Sequence, residues 1–212
     1  MQIKINLKIF LFIIIFCITK QIEIYGIIMF FALIHEIAHL ITGICLKLKP
    51  KSLSIMPFGL TVTFEDYDLL KIPIKRVIIA LAGPVINILI AIILGVIAET
   101  KHMETVIYSN LLIGAFNLIP VYPLDGGQIV KNLIHIKYNL KIANKITLLI
   151  SKTVVILLTF ISSIAILYFK NIAILVIIAY LWYLVIKEAK VQELRNRTYE
   201  IIKKECVSKI KK

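Results

Sequence analysis

The chain has 212 residues, of which 60% are hydrophobic, and it carries a formal net charge of +13. Its mean hydropathy of +0.94 excludes an ordinary soluble domain, in which apolar residues make up about 45–50% of the sequence. Lysine and arginine cluster between hydrophobic segments, and no nucleic-acid motif appears, so the charge does not indicate a nucleic-acid partner. The three cysteines form no CxxC pair, which excludes a cysteine zinc site. We therefore expect an integral membrane protein.

Six hydrophobic segments predict an all-α polytopic membrane protein with about six transmembrane helices. The positive-inside rule places both termini in the cytoplasm, because most basic residues fall on one side of the predicted membrane domain. That domain is predicted to cover residues 1–187, followed by a basic cytoplasmic tail over 188–212 that is too short for an independent domain. We interpret the first segment as an uncleaved helix, since it has no small-x-small cleavage site. The segments are Ile5–Ile18, Ile22–Leu46, Ile74–Ala98, Val106–Ile119, Ile146–Phe169 and Ile172–Ile186.

The most informative motif is His35-Glu36-Ile37-Ala38-His39, because it lies inside the second hydrophobic segment. Histidines at i and i+4 share one face of a helix and can both ligate zinc. The glutamate between them can act as general base toward a water molecule. Each ionisable residue near the bilayer centre costs roughly 2.5–3.5 kcal/mol on insertion scales. We therefore predict that His35 and His39 bind Zn²⁺ and that Glu36 is catalytic.

A third metal ligand is expected, because catalytic zinc sites typically have three protein ligands and a water. Asp125 is the best candidate: Pro120 and Pro123 are predicted to end the preceding helix, and Gly126 and Gly127 permit unusual backbone angles. Such a broken helix would place Asp125 at the membrane depth of the histidines. The structural alternative for Asp125 is a turn or helix N-cap. The remaining candidate ligands fall in predicted connecting segments: Glu65, Asp66, Asp68, Glu99, His102, Glu104 and His135.

Residues 52–64 predict a small membrane-associated β-hairpin that binds an extended substrate. This stretch carries no charge, the sequence from 61 to 64 alternates as in a strand, and Pro57-Phe58-Gly59 is typical of a turn. An exposed hairpin edge can hold a substrate strand through main-chain hydrogen bonds. We therefore assign Pro57, Phe58 and Gly59 to substrate binding, with an ordinary cytoplasmic loop as the alternative.

Two asparagines lie near the predicted site. Asn117 stands at a predicted helix end, where its amide can hydrogen-bond the substrate backbone or the reacting carbonyl, or can serve helix packing. Asn87 shares a face with Gly83, Ala91 and Gly95, which recur every four residues. Such a small-residue face favours close helix packing, so we interpret Asn87 mainly as a packing residue.

These elements together resemble the site-2 protease family of intramembrane zinc metalloproteases. The resemblance rests on the HExxH motif at 35–39, on Ala-Gly-Pro-Val-Ile-Asn at 82–87, and on Asn-Leu-Ile-Pro-Val-Tyr-Pro-Leu-Asp-Gly-Gly at 117–127. It covers roughly residues 1–187. Within the family, the chain is most similar to the branch of the stage IV sporulation protein FB type, through its six segments, Tyr122 before Pro-Leu-Asp, and the hairpin.

The resemblance implies a protease that cleaves a membrane-embedded or membrane-associated protein within or near the bilayer. In this branch the implied substrate is a sporulation sigma factor precursor, the implied partners are inhibitory membrane proteins, and the implied location is the bacterial cell membrane or the outer forespore membrane. Alternatives are cleavage of another membrane protein, such as an anti-sigma factor, and a catalytically silent regulator of the same fold. A metal transporter is disfavoured because the first, fifth and sixth segments are nearly devoid of polar residues.

Overall fold

A computed structural model of the chain describes residues 2–5, 22–56, 59–64, 72–97, 101–169 and 172–210. Nearly all of the predicted segment Ile5–Ile18, together with Pro57 and Phe58, lies outside these ranges. Three short strands and six helices are present in the part described. The strands are β1 (Gln2–Ile5), β2 (Pro50–Met56) and β3 (Gly59–Phe64), and the helices are α1 (Ile22–Cys45), α2 (Pro73–Ile97), α3 (Lys101–Leu118), α4 (Asp125–Lys137), α5 (Leu140–Phe169) and α6 (Ile172–Ile210).

Within the described ranges, three helical stretches are long and apolar enough to cross a membrane, namely Ile22–Cys45, Pro73–Ile97 and Leu140–Ala165. They correspond to the second, third and fifth predicted segments. Large apolar side chains on all three remain exposed, among them Phe30, Ile92 and Phe160, as expected for surfaces that face lipid rather than water. The prediction of a mainly helical, multi-pass membrane protein is therefore confirmed.

The chain divides into two compact units, residues 1–119 and 120–212. In the first unit, α2 packs against both α1 and α3. The contact surface of α2 buries Gly83, Asn87 and Ala91, as the predicted small-residue face requires. Gly95 is exposed, however, so this face ends one turn earlier than predicted.

Helix α3 begins at Lys101, well before the predicted start of the fourth segment. The predicted loop positions of His102 and Glu104 are therefore wrong, because both residues lie in the first turns of this helix. Lysine, methionine and glutamate are good helix formers, so a helix can extend through polar residues at which the hydropathy falls. The end of α3 at Leu118, just before Pro120, agrees with the predicted helix break.

The first unit also contains a three-stranded sheet in the order β1-β2-β3. β1 runs parallel to β2, and β2 pairs antiparallel with β3 in a register that sets Met56 opposite Gly59. Ile5 belongs to β1 and not to the first predicted helix. β2 and β3 cover the described residues of the predicted hairpin, whose membrane association and substrate binding remain predictions. Among the described strands β3 is an edge strand, and it runs close to α1.

The second unit is built from α4, α5 and α6, with α5 packed against the other two. Asn139 begins α5 by accepting a hydrogen bond from the Ile142 amide at 2.9 Å, which is an N-cap interaction. The Trp182 indole donates to the Thr159 hydroxyl at 3.0 Å and so links α6 to α5. Helix α6 continues through residue 187 to Ile210. The division into a membrane domain and a cytoplasmic tail remains a prediction.

Candidate metal centre

His35 and His39 lie one turn apart on α1 and are both buried, with 3% and 7% of their surfaces exposed. Their rings are 4.8 Å apart and nearly perpendicular. The i, i+4 spacing predicts this arrangement, because residues four apart share one face of a helix. The hydrogen bonds of the two imidazoles determine which ring nitrogen of each can bind a metal.

Each imidazole is anchored through its Nδ1 atom to helix α2. The Nδ1 of His35 lies 2.8 Å from Oδ1 of Asn87, and the Nδ1 of His39 lies 2.6 Å from the backbone carbonyl oxygen of Ile79. A carbonyl oxygen can only accept, so Nδ1 of His39 carries the proton and its Nε2 is the nitrogen that can bind a metal. Histidines that ligate metals almost always donate their second ring N–H in this way.

Gly83 on α2 leaves space beside both metal-binding nitrogens. A Cβ atom built at this position would lie 2.5 Å from Nε2 of His35 and 2.5 Å from Nε2 of His39. Since real Cβ atoms do not approach so closely, only glycine is compatible with the two rings as they stand. Both Nε2 atoms therefore converge on one small volume that the missing side chain keeps open.

Asp125 is the first residue of α4 and is 8% exposed. One ligand atom from each of Asp125, His35 and His39 lies within 4.8 Å of the other two. Two imidazoles and a carboxylate are ligands that zinc takes in catalytic sites, where three protein groups leave one position open. The N-cap alternative for Asp125 is wrong, because Leu124 occupies that position and makes no side-chain capping bond. The donor set and the space beside Gly83 thus fit a zinc ion.

Hydrogen bonds from backbone amides hold the segment before Asp125 in place. Tyr122 donates its amide N–H to the Ser151 hydroxyl on α5 at 3.0 Å, and the Leu124 amide donates to the Val121 carbonyl at 2.8 Å. A Cβ atom at Gly127 would collide with the backbone of Val121 and Tyr122. Glycine at 127 is therefore needed for close approach between the start of α4 and the preceding turn.

The other residues predicted for the site occupy several elements. Glu36 follows His35 on α1 and is half-buried. Asn117 lies in the last turn of α3, where its side-chain amide donates to the Ile113 carbonyl at 3.0 Å. Gly59 is the first residue of β3, and Pro57 and Phe58 lie outside the described residues. The catalytic and substrate-binding roles of these residues remain predictions.

Sequence reasoning missed the groups that hold the ligands. Asn87 is buried on the packing face of α2, as predicted, and its hydrogen bond to His35 is an additional role that the small-residue pattern does not predict. An asparagine in the middle of an apolar helix was the available signal, because a buried amide needs hydrogen-bond partners. The Ile79 carbonyl has no sequence signature, since every residue carries one.

A multi-pass membrane protein that buries two imidazoles and a carboxylate in one group belongs to the class of membrane-embedded metalloproteins. The sequence profile of peptidase family M50 matches residues 24–101 and 99–161. The chain therefore belongs to peptidase family M50, which confirms the resemblance to site-2 proteases, and the metal that its donor set fits is zinc.

Individual relatives agree with this assignment. A zinc metalloprotease of Methanocaldococcus jannaschii is 28% identical over 134 residues, which cover 59% of this chain and 38% of that protein. Stage IV sporulation protein FB of Bacillus subtilis is 32% identical over 104 residues, or 46% of this chain and 35% of that protein. The matches thus span little more than a third of each relative. The solved structure of the site-2 protease from Methanocaldococcus jannaschii has the same fold, with a TM-score of 0.65, 23% identity, and coverage of 88% of this chain and 89% of that one.

Proposed function

We propose that this chain is an intramembrane zinc metalloprotease that cleaves membrane-embedded or membrane-associated proteins within or near the bilayer. The observation that carries the proposal is the buried group of His35, His39 and Asp125, two of whose members lie on a helix long enough to cross a membrane. Ionisable groups are rarely kept at such depth without a function. Family M50 membership supplies the reaction class, which is peptide hydrolysis.

In the proposed reaction, His35, His39 and Asp125 would hold the zinc ion, and Glu36 moves the proton. Zinc held there would lower the pKa of water toward about 7 and would polarise a carbonyl oxygen. The oxygen of the attacking water bonds to the scissile carbonyl carbon, and Glu36 accepts a proton from that water at the same time. It then delivers that proton to the leaving nitrogen as the C–N bond breaks. The half-buried position of Glu36, directly beside a ligand on α1, supports this role.

The substrate must be extended before its carbonyls become accessible, and β3 offers a surface for this. β3 is an edge strand among the described strands and runs close to α1, which carries the histidines. A substrate segment added along this edge would pair its main chain with β3. We propose that Gly59, the first residue of β3, binds substrate together with Pro57 and Phe58, and that the amide of Asn117 contacts the substrate backbone.

The proposed substrate is a sporulation sigma factor precursor, and the proposed partners are membrane proteins that inhibit the protease. Support comes from the sequence resemblance and from the 32% identity with stage IV sporulation protein FB. The expected topology has both termini in the cytoplasm of a bacterial cell, in the cell membrane or the outer forespore membrane. Another membrane protein, such as an anti-sigma factor, is the alternative substrate, and a silent regulator is the alternative function.

Co-expression with a candidate sigma precursor tests the proposal. Wild type should produce a shortened product, and Glu36→Gln should produce none while still binding about one zinc per chain. Glu23→Gln is the matched control, because Glu23 lies on the exposed first turn of the same helix. Cleavage that survives Glu36→Gln would contradict the mechanism. Zinc binding without cleavage by any variant would favour the alternative substrate or the silent regulator.

A further inference from the structure

A row of hydrogen bonds extends from His35 away from the metal-binding side of its ring; the first two are buried and the last is partly buried. Nδ1 of His35 meets Oδ1 of Asn87 at 2.8 Å, and Nδ2 of Asn87 donates to Oδ1 of Asn110 at 3.0 Å. Nδ2 of Asn110 in turn donates to the backbone carbonyl of Val106 at 2.9 Å. Both asparagines are completely buried. The proposed reaction does not use these two side chains, yet burying an amide on each of two packed helices costs desolvation free energy that apolar side chains would not.

The Val106 carbonyl fixes the direction of every bond in this row. Because that carbonyl can only accept, Asn110 must turn its NH₂ group toward it and its oxygen toward Asn87. Asn87 must then turn its NH₂ group toward Asn110 and its oxygen toward His35. An oxygen facing Nδ1 requires His35 to donate from that atom, which leaves the Nε2 lone pair for the metal.

A second amide is needed because the first is neutral. A carboxylate at position 87 would accept from His35 in either orientation, but it would place another charge inside a membrane helix. An amide avoids the charge, but it presents either an acceptor or a donor depending on how it is turned. Asn110, anchored on Val106, removes that ambiguity. His39 needs no such device, because its partner is the Ile79 carbonyl, which can only accept.

We propose that Asn87 and Asn110 are positioning residues that set the tautomer and ring orientation of His35, with the Val106 carbonyl as the fixed end of the row. The inference builds on the proposed zinc protease function. It assigns to the two amides a role in metal affinity as well as in packing. The effect of Asn87 and Asn110 on His35 should therefore be measurable without any substrate.

The first readout is the tautomer of His35 in zinc-free protein, measured by ¹⁵N NMR of histidine-labelled chains. The sequence contains only four histidines, and His35→Ala assigns the signal. In wild type, Nδ1 of His35 should be the protonated nitrogen. Asn87→Leu and Asn110→Leu should both produce a mixture of tautomers. Asn132→Leu is the control, because Asn132 is also buried and makes a bond from its amide to a carbonyl of its own helix.

The second readout is zinc affinity, measured by competition with a chelator in detergent. Asn87→Leu should weaken binding by about 10–100-fold, as expected for loss of a partner that orients a ligand. Asn110→Leu should weaken binding less. An aspartate at position 87 accepts from His35 in either orientation, so Asn110→Ala should weaken binding less than about twofold when it is added to Asn87→Asp. This variant also keeps the test informative if the leucine variants fold poorly.

The outcomes separate the inference from the function on which it builds. Tautomer and zinc affinity that respond to positions 87 and 110 but not to 132 would support the proposal. An unchanged His35 tautomer in Asn87→Leu and Asn110→Leu would overturn it, even if wild type binds zinc and cleaves substrate. Equal effects of Asn110→Ala in the wild-type chain and in the Asn87→Asp variant would also overturn it. Failure of wild type to bind zinc would contradict the proposed function, and the zinc-free tautomer would still decide the inference.

Discussion

The histidine pair and the Asp125 segment are held in place by different kinds of interaction. Each imidazole on α1 is oriented by a hydrogen bond from its own ring, either to a side chain or to a carbonyl of α2. Asp125 is positioned by the backbone before and after it, through the bond from the Tyr122 amide to Ser151 and the close approach at Gly127. A regular helix determines the position of an imidazole ring but not its rotation, so a hydrogen bond must set the rotation. An irregular turn has no such regular backbone, so its main chain must be held in place before it can position Asp125.

This difference predicts which mutations each region tolerates. Near the histidines, a change that leaves the helices intact can still misdirect a ring, so metal affinity should fall without a large loss of stability. Near Asp125, a change that shifts the turn should lower stability and metal affinity together. Glycines make the contrast testable, because Gly83 borders imidazole nitrogens and Gly127 borders backbone atoms.

The largest effect is expected for Gly83→Ala. The added Cβ would lie 2.5 Å from both Nε2 atoms, so at least one ring must turn away, and zinc affinity should fall by about 100-fold, the upper end of the range for a misdirected ligand, with loss of cleavage. Gly95→Ala on the same helix is the control, because nothing lies within 4 Å of its Cβ position. Chelator competition measures the difference, and equal zinc affinity in both variants would contradict the arrangement of the rings.

Gly127→Ala should reduce both stability and zinc binding. The backbone of Val121 and Tyr122 blocks the new methyl group and cannot rotate aside as a side chain can, so we expect a loss of about 1–3 kcal/mol, as for overpacked cores. Thermal unfolding in detergent, with and without zinc, measures it. Gly26→Ala has open space around its Cβ and should behave as wild type. A stable Gly127→Ala protein with weak zinc binding would show that the two regions do not differ as proposed.

Ser151→Ala should cost about 1–2 kcal/mol of unfolding free energy, because the Tyr122 amide loses its acceptor inside the protein. The matched control is Ser163→Ala, on the same helix but exposed, with its hydroxyl donating to the Phe160 carbonyl of that helix. The comparison is made by denaturant or thermal unfolding in one detergent. If both variants were equally stable, Ser151 would not be a support of the Asp125 segment.

The smallest effect is expected at Tyr122, whose ring lies 4.4 Å from the ammonium group of the buried Lys131. Tyr122→Leu removes this cation–π contact and should cost about 0.5–1 kcal/mol. Tyr122→Phe keeps the ring and should retain most of that stability. Both variants lack the hydroxyl group and only one keeps the ring, so the difference in unfolding free energy between them measures the contribution of the ring, which includes this contact. A leucine variant as stable as the phenylalanine variant would exclude it.

The sequence predicted the metal-binding residues better than it predicted what orients them. The spacing of His35 and His39 and the glycines after Asp125 are local patterns, and local patterns reflect helix geometry and turn chemistry. The bonds behind His35 join residues 52 and 23 positions apart, so no local pattern contains them. The sequence indicates that a buried Asn87 needs hydrogen-bond partners, but it does not identify His35 and Asn110 as those partners.

Helix boundaries were predicted least well where hydropathy and helix propensity disagree. α1 and α2 agree closely with apolar runs, because both are apolar almost throughout. α4 is a largely polar helix and was not predicted, although its first residue was identified as a ligand. α6 continues far beyond the apolar run that begins it, since lysine, glutamate and arginine sustain a helix outside the apolar region.

X-ray absorption at the zinc K-edge of the purified protein would show whether His35, His39 and Asp125 bind one zinc ion. We expect two imidazole nitrogens and oxygen ligands at about 2.0–2.2 Å. In His39→Ala, one imidazole should be lost from the spectrum, or the zinc should no longer bind. A sulfur ligand at about 2.3 Å, or a wild-type spectrum that persists in His39→Ala, would contradict zinc binding by these three residues.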